Sequence, residues 1–432
     1  MSPSSNTQAA ENTWGALQEA NFRLFSIGSL ISMVGRQMLS VAIGWEVYER
    51  THSALALGYI GLVQLLPVVL LVLPAGHVVD TRDRKNVLMA AQWANAIATA
   101  GLMYTSMTHG PVWAMYVRLA VVGVGRAFHS PANAALLPQV VSEANFTNAV
   151  TWGSINFQAA SILGPALGGM LIGVFHQAFW VYLADFICCV LFGLSLLLVK
   201  SRQQIVIQKK EMTLSTLASG LSFVWNTKII LAAITLDMFA VLFGGAVALL
   251  PIYAKDILHV GPSGLGWLQT APSVGAILMG LTLARRSAFR NAGKWLMLTI
   301  IGFGIATIGF GLSRNFWLSF ALLALTGAFD NVSVVIRQAL VQLRTPDAMR
   351  GRVSAINYVF IGTSNELGGF ESGLVAQWLG PTFSVVFGGF ATILTVILSG
   401  MLWPELRTMD RLEAEPGVIE SDVDEPSSPT PV

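Results

Sequence analysis

From residue 22 to residue 403 the chain is a succession of long apolar runs, each ended by a few polar or turn-forming residues. An α-helix needs roughly 20 apolar residues to cross the hydrocarbon of a bilayer, and by that measure the pattern predicts twelve spanning helices. Six fall at 22–48, 54–76, 87–107, 112–137, 149–174 and 178–199. Six more fall at 228–254, 263–284, 294–312, 316–343, 353–378 and 381–403. The first run is too long for the apolar core of a signal peptide and follows a polar stretch with no basic start, so the first helix is expected to stay uncleaved.

The longest internal break, 200–227, is polar and basic and separates the runs six from six. The expected organisation is an N-terminal tail (1–21), a six-helix bundle (22–199), a linker (200–227), a second bundle (228–403) and an acidic tail rich in Pro and Ser (404–432) that reads as disordered. Neither the linker nor the tail has room for a catalytic domain. The fold class is an all-α membrane protein of two six-helix bundles.

Composition agrees with a lipid solvent: 54% of the 432 residues are hydrophobic and 11% charged, against about 25% charged in soluble domains. A net charge of +2 gives no reason to expect nucleic acid as a partner. The placement of charge says more, because 18 of the 25 Lys and Arg fall on the tails and loops of one face, and only Arg50, Lys255 and Arg314 on the other. Basic loops stay on the cytoplasmic side, which predicts a multi-pass plasma membrane protein, of the bacterial inner membrane type, with both termini cytoplasmic. Trp113, Trp180, Trp225, Trp295, Trp317, Trp378 and Trp403 lie near helix ends, where amphipathic rings prefer the interface.

The two groups of six repeat each other at an offset of about 204 positions. Gly61, Gln64 and Pro67 return as Gly266, Gln269 and Pro272, and Asn21, Arg23 and Tyr48 answer to Asn226, Lys228 and Tyr253. Ionisable residues inside a membrane are costly and mark function by default. Arg36 lies in the first predicted helix, Arg118 and Arg126 in the fourth, Asp237 in the seventh, Asp330 and Arg337 in the tenth and Glu366 in the eleventh. Helical spacing gives Arg36 a polar stripe with Ser29, Ser32 and Ser40, gives Arg126 one with Ser130 and Asn133, and gives Asp330 and Arg337 one with Thr326 and Ser333.

Arg126 and Asp330 are themselves 204 positions apart, so the repeat sets opposite charges at matching depth. They are expected to pair in one conformational state and part in another; a static ion pair, or two separately solvated charges, would be the plainer outcome. A buried Asp whose Arg partner comes and goes can take up and release a proton. Asp330 is the first candidate, ahead of Asp237 and Glu366, while Glu46, Asp185 and Glu371 are expected to cap or solvate helix ends nearer the outer surface.

Two motifs carry a resemblance. Residues 76–85, GHVVDTRDRK, form a charged hairpin between the second and third runs, and residues 164–169 read GPALGG. The hairpin resembles the signature loop of the major facilitator superfamily at Gly76, Asp80, Arg84 and Lys85, with Thr81 and Asp83 departing from it. Gly164, Pro165, Gly168 and Gly169 resemble the Gly-Pro motif of exporters and antiporters in that superfamily. Leu136-Leu137-Pro138 and Arg350-Gly351-Arg352-Val353 resemble the branch of bacterial exporters that includes the enterobactin exporter.

The resemblance implies a central cavity lined by helices 1, 4, 7 and 10, with two halves rocking around a midplane site. It also implies a cytoplasmic latch at Asp80 and Arg84 in the outward-open state. The function it implies is secondary active, proton-coupled export of small organic molecules, siderophore-like or drug-like. Four Arg against two Asp in helices 1, 4, 7 and 10 favour a substrate with an acidic group. An importer or lipid mover of the same fold, or a non-transporting membrane sensor or scaffold, are the rivals. No ATP-binding loop and no metal-ligand spacing among the six histidines is present, so neither a metal nor a cofactor is expected, and nothing suggests an enzyme. Cys188 and Cys189, adjacent in an apolar run, read as small buried hydrophobes.

Overall fold

The computed structural model describes residues 14–201, 214–285 and 291–409, which contain helices, turns and no strand. In a bilayer each backbone N–H and C=O must find its partner inside the segment, and a helix provides that. Twelve long helices result: α1 (Ala20–Thr51), α2 (Ala54–Thr81), α3 (Arg84–Met107), α4 (Val112–Val140), α5 (Phe146–Phe175), α6 (Phe179–Leu198), α7 (Lys228–Ile257), α8 (Gly261–Leu283), α9 (Ala292–Leu312), α10 (Phe316–Arg344), α11 (Asp347–Leu379) and α12 (Pro381–Leu402). Eight of them are apolar enough to cross a membrane on composition alone. The other four, α3, α4, α8 and α11, have spanning length but carry more polar residues and pack among the eight.

Local chemistry sets where the helices stop. The side chains of Ser53, Asp83 and Asn315 accept hydrogen bonds from the backbone N–H groups of Ala56, Asn86 and Leu318, capping α2, α3 and α10. At the opposite ends of α1, α3, α5 and α7, His52, His109, His176 and His259 adopt left-handed backbone angles with φ of 49–55°. Gly usually takes this position, though His tolerates it better than most residues. Four of the six histidines are thus turn residues, all on the face away from the termini.

Several expected boundaries move. The hairpin 76–85 shrinks to Arg82 and Asp83, because nothing between Gly76 and Thr81 breaks the helix and α2 continues into water. The expected linker contains a helix, Leu214–Asn226, that packs on α11: its Val224 is buried and Arg352 donates to the Ser219 hydroxyl at 3.0 Å. At the C-terminus, Pro404–Thr408 forms a helical turn with Leu406 fully buried, and Gly293 N–H donates to the Met409 carbonyl at 3.1 Å. Packed structure therefore extends past 403; 410–432, 1–13 and 202–213 lie outside the described residues. At the N-terminal end the Glu19 carboxylate accepts from Ser142 N–H at 3.0 Å and from Asn145 Nδ2 at 2.8 Å, fastening the chain to the α4–α5 turn.

The halves, α1–α6 and α7–α12, meet through α2 against α11 and α5 against α8. The repeat exchanges these two contacts, as a two-fold pseudo-axis requires. Both need glycine: a Cβ on Gly169 would lie 2.8 Å from Gly266 Cα, and one on Gly373 3.0 Å from Gly58 Cα. Gly169 and Gly373 are separated by the repeat offset of 204. Polar contacts join the same end of the molecule, the end away from the termini. Tyr48 Oη donates to the Asp256 carboxylate, Lys255 Nζ lies 3.3 Å from Glu49, and Ser53 Oγ donates to Gln377 at 2.9 Å.

Candidate functional site

Between the halves lies a cavity of about 830 Å³, within the size range of small-molecule sites. α7 bends around it. Gly244 and Gly245 interrupt that helix after Phe243, where side chains would collide with Phe303 and with Ser372 Oγ, and the chain continues as 3-10 and then π turns. Sealed by the glycine contacts and the Tyr48–Asp256 bond, the cavity is closed at the end away from the termini.

Four of the expected charged residues line it: Arg36 on α1, Arg126 on α4, Asp330 on α10 and Glu366 on α11. Arg126 does not meet Asp330 here. Its Nη1 donates to Glu366 at 2.9 Å, an ion pair that crosses from one half to the other. Gly61 makes room for this partner, since a Cβ there would come 2.8 Å from the Glu366 carboxylate. Arg36 Nη1 lies 3.0 Å from Nε2 of the buried His129. A guanidinium has only donors, so Nε2 accepts and the imidazole is neutral, with its proton on Nδ1. Asp330 is open to the cavity and makes no ion pair among the described residues.

Three residues assigned to the cavity face elsewhere. Asp237 and Arg337 are ion-paired to each other, both almost fully buried between α7 and α10, so helical position placed them in the right helices but on the inner side of their own half. A narrow crevice lined by Asp237, Ser333 and Asp330 lies beside the cavity and shares Asp330 with its wall. Arg118 lies over Gly101 of α3 and donates to the Ala114 carbonyl at 2.7 Å, away from the cavity. Asp185, expected near the surface, is 1% exposed inside the first half and accepts from the Thr99 hydroxyl at 2.8 Å. Glu46 is likewise interior, held by Arg50 and by the Tyr182 hydroxyl at 2.6 Å.

The motif residues have definite contacts. Gly164 and Gly168 of α5 lie against α1 at Gln37 and Met38, while Gly169 and the Pro165 carbonyl lie against Gly266 of α8. One helix face thereby touches both halves. Arg84 donates to the Ala135 carbonyl at 3.1 Å and Lys85 to the Val199 carbonyl at 2.7 Å, placing cations at the negative ends of α4 and α6. Gly76 sits within α2. Asp80 is exposed in the last turn of α2 and has no polar partner among the described residues.

Uncharged amides were the residues missed. Gln64 and Gln269 both line the cavity, and the repeat had already marked them as a matched pair. Gln37 and Asn365 join them, as does Asn133, which the helix-4 stripe had set beside Arg126 and whose buried Oδ1 has no hydrogen-bond partner among the described residues.

Residues 11–427 match the family described as transmembrane secretion effector, MFS_3. The multidrug efflux pump Tap of Mycolicibacterium fortuitum is 25% identical over 400 residues, which are 90% of this chain and 96% of that protein. The enterobactin exporter EntS of Citrobacter koseri is 24% identical over 390 residues, covering 89% and 92%. Among solved structures, the nucleoside transporter NupG superposes with a TM-score of 0.71 at 13% identity, over 89% of this chain and 99% of that one. An inward-facing bacterial homologue of the iron transporter ferroportin gives 0.67 at 18% identity, over 90% and 99%. With the helix count, the paired halves and the family match in agreement, the chain belongs to the transmembrane secretion effector family of the major facilitator superfamily and is a multi-pass membrane transporter.

Proposed function

We propose that this transporter exports small organic molecules from the cytoplasm in exchange for protons, by alternating access. The observation that carries it is the Arg126–Glu366 pair: it spans the midplane between halves that are otherwise tied at one end, and it leaves Asp330 unpaired beside it. With both termini cytoplasmic, as the basic loops indicate, the sealed end is periplasmic and the cavity faces inward. Similarity to an efflux pump and a siderophore exporter supports the outward direction.

Exchange requires a group that holds either a proton or the substrate, never both. Asp330 suits this because Asp237, its carboxylate neighbour across the crevice, is already neutralised by Arg337. A substrate cation arriving at Asp330 displaces its proton; after the halves rock, a periplasmic proton displaces the substrate. Asp80 and Arg84 latch the cytoplasmic side only in the outward-open state, and Arg84 is meanwhile engaged with Ala135.

The test is proton release on ligand addition to purified protein, followed by uptake into inside-out vesicles with an imposed pH gradient. Wild type should release protons and accumulate ligand; Asp330→Asn should do neither. Counterflow running only inward, or flux that ignores the gradient, would refute proton-driven export. Flux of every solute unaffected by loss of Asp330, Arg126 and Asp80 together would indicate a sensor or scaffold.

A further inference from the structure

The cavity walls carry opposite charge. The first half contributes Arg36 and Arg126, the second Asp330 and Glu366. Arg126 and Glu366 satisfy one another across the gap. What remains is the Arg36 guanidinium and the Asp330 carboxyl group, on opposite walls, each without an ion-pair partner among the described residues.

Arg36 is built to stay that way. Its described hydrogen bond goes to a neutral imidazole, which holds Nη1 from behind and supplies no negative charge. Asp185 of the same half acts on Arg36 through space, but it accepts its hydrogen bond from Thr99 and forms no ion pair with Arg36 among the described residues. Arg36 lines the cavity. Asp330 faces the same space, and the amides of Gln37, Gln64, Gln269 and Asn365 line the walls between.

A cavity wall of this kind discriminates by charge pattern. A ligand with a single positive charge pairs with Asp330 and leaves Arg36 without an ion-pair partner; a ligand with a single negative charge pairs with Arg36 but gains nothing from Asp330, which keeps its proton. Enclosing a charge without a partner is costly in a low-dielectric site, whereas a molecule with an acid and an amine on one scaffold satisfies both walls. The bidentate geometry of guanidinium with carboxylate favours the acid at Arg36. We infer that the cavity selects zwitterions, with the ligand's acid docked on Arg36 and its amine on Asp330.

This deepens the export reading, on which it rests for the identity of the cavity, but it concerns binding rather than direction. The probes are norfloxacin, a fluorescent zwitterion with an acid at one end and an amine at the other, its methyl ester and its N-acetyl derivative. Their affinities for the full-length protein in lipid nanodiscs at pH 7 are read by fluorescence anisotropy. Norfloxacin should bind at least about tenfold more tightly than either derivative, the step that 1.4 kcal/mol produces. Arg36→Gln should abolish its advantage over the ester, and Asp330→Asn its advantage over the N-acetyl form. Arg36→Lys, which retains the charge, should keep most of the preference and so separates recognition from misfolding. The inference is overturned if norfloxacin does not bind, if a derivative binds within threefold of it, or if both neutral variants leave the order unchanged. Vesicles without protein-dependent flux would instead count against export and leave the binding order standing.

Discussion

Arg126 of α4 and Glu366 of α11 form the ion pair that bridges the cavity, 2.9 Å apart, in a molecule whose two halves otherwise touch mainly through glycine and seal residues at one end. In the proposed cycle the pair joins parts that separate. Arg126 is half exposed, and exposed pairs are worth about 0–1 kcal/mol, so the bridge is weak enough to open in the proposed cycle.

Neutralising that bridge should therefore affect transport more than stability. We expect Glu366→Gln to shift unfolding by no more than about 1 kcal/mol while lowering the transport rate severalfold. The exchange Arg126→Glu with Glu366→Arg should recover part of the rate lost in either single reversal. Vesicle uptake beside thermal unfolding measures both; no recovery in the double variant would mean that the two residues act separately.

The Asp237–Arg337 pair should behave in the opposite way. Removing one partner of a buried ion pair costs about 3–5 kcal/mol, whereas replacing both with apolar residues is often neutral. Asp237→Asn or Arg337→Gln alone should lower the unfolding midpoint and the yield markedly. Asp237→Leu with Arg337→Met should restore them. Should the single variants unfold like wild type, the pair is not a structural tie of α7 to α10.

Side chains at the glycine contacts should hold the sealed end open. Gly169→Val or Gly373→Val places atoms where the backbones of α8 and α2 now stand. We expect spin labels on the ends of α2 and α11, or of α5 and α8, to show longer distances on the face away from the termini. Distances identical to wild type would leave these glycines no part in closure.

Asp80 has no polar partner among the described residues, so Asp80→Asn should leave ligand affinity unchanged and slow the transport cycle. Equilibrium binding and turnover, measured on the same preparation, test this. A loss of affinity would show that the latch acts on the cavity and not on the return of the halves.

The span count, the repeat and the helices that carry charge were legible in the chain, because lipid demands long apolar runs and makes every interior charge conspicuous. The amides Gln37 and Asn365 were not: an uncharged polar residue in a membrane helix is common and does not announce which side it faces. Gln64 and Gln269 could have been found, since both recurred at the repeat offset.

Pairing was the part that required the folded chain. Arg126 and Asp330 match in sequence, but the pseudo-axis that equates them also sets them on opposite walls, and Glu366 of α11 reaches Arg126 first. Asp237 and Arg337 turned inward to each other for the same reason: rotation about a helix axis, invisible in composition, determines whether a charge meets water or another helix. By itself the sequence determined that two six-helix units cross a membrane and where their costly residues fall. Only tertiary packing decided which of those residues neutralise one another and which remain open in the cavity, because charges far apart in sequence find their partners through contacts between helices, within a half for Asp237 and Arg337 and between halves for Arg126 and Glu366.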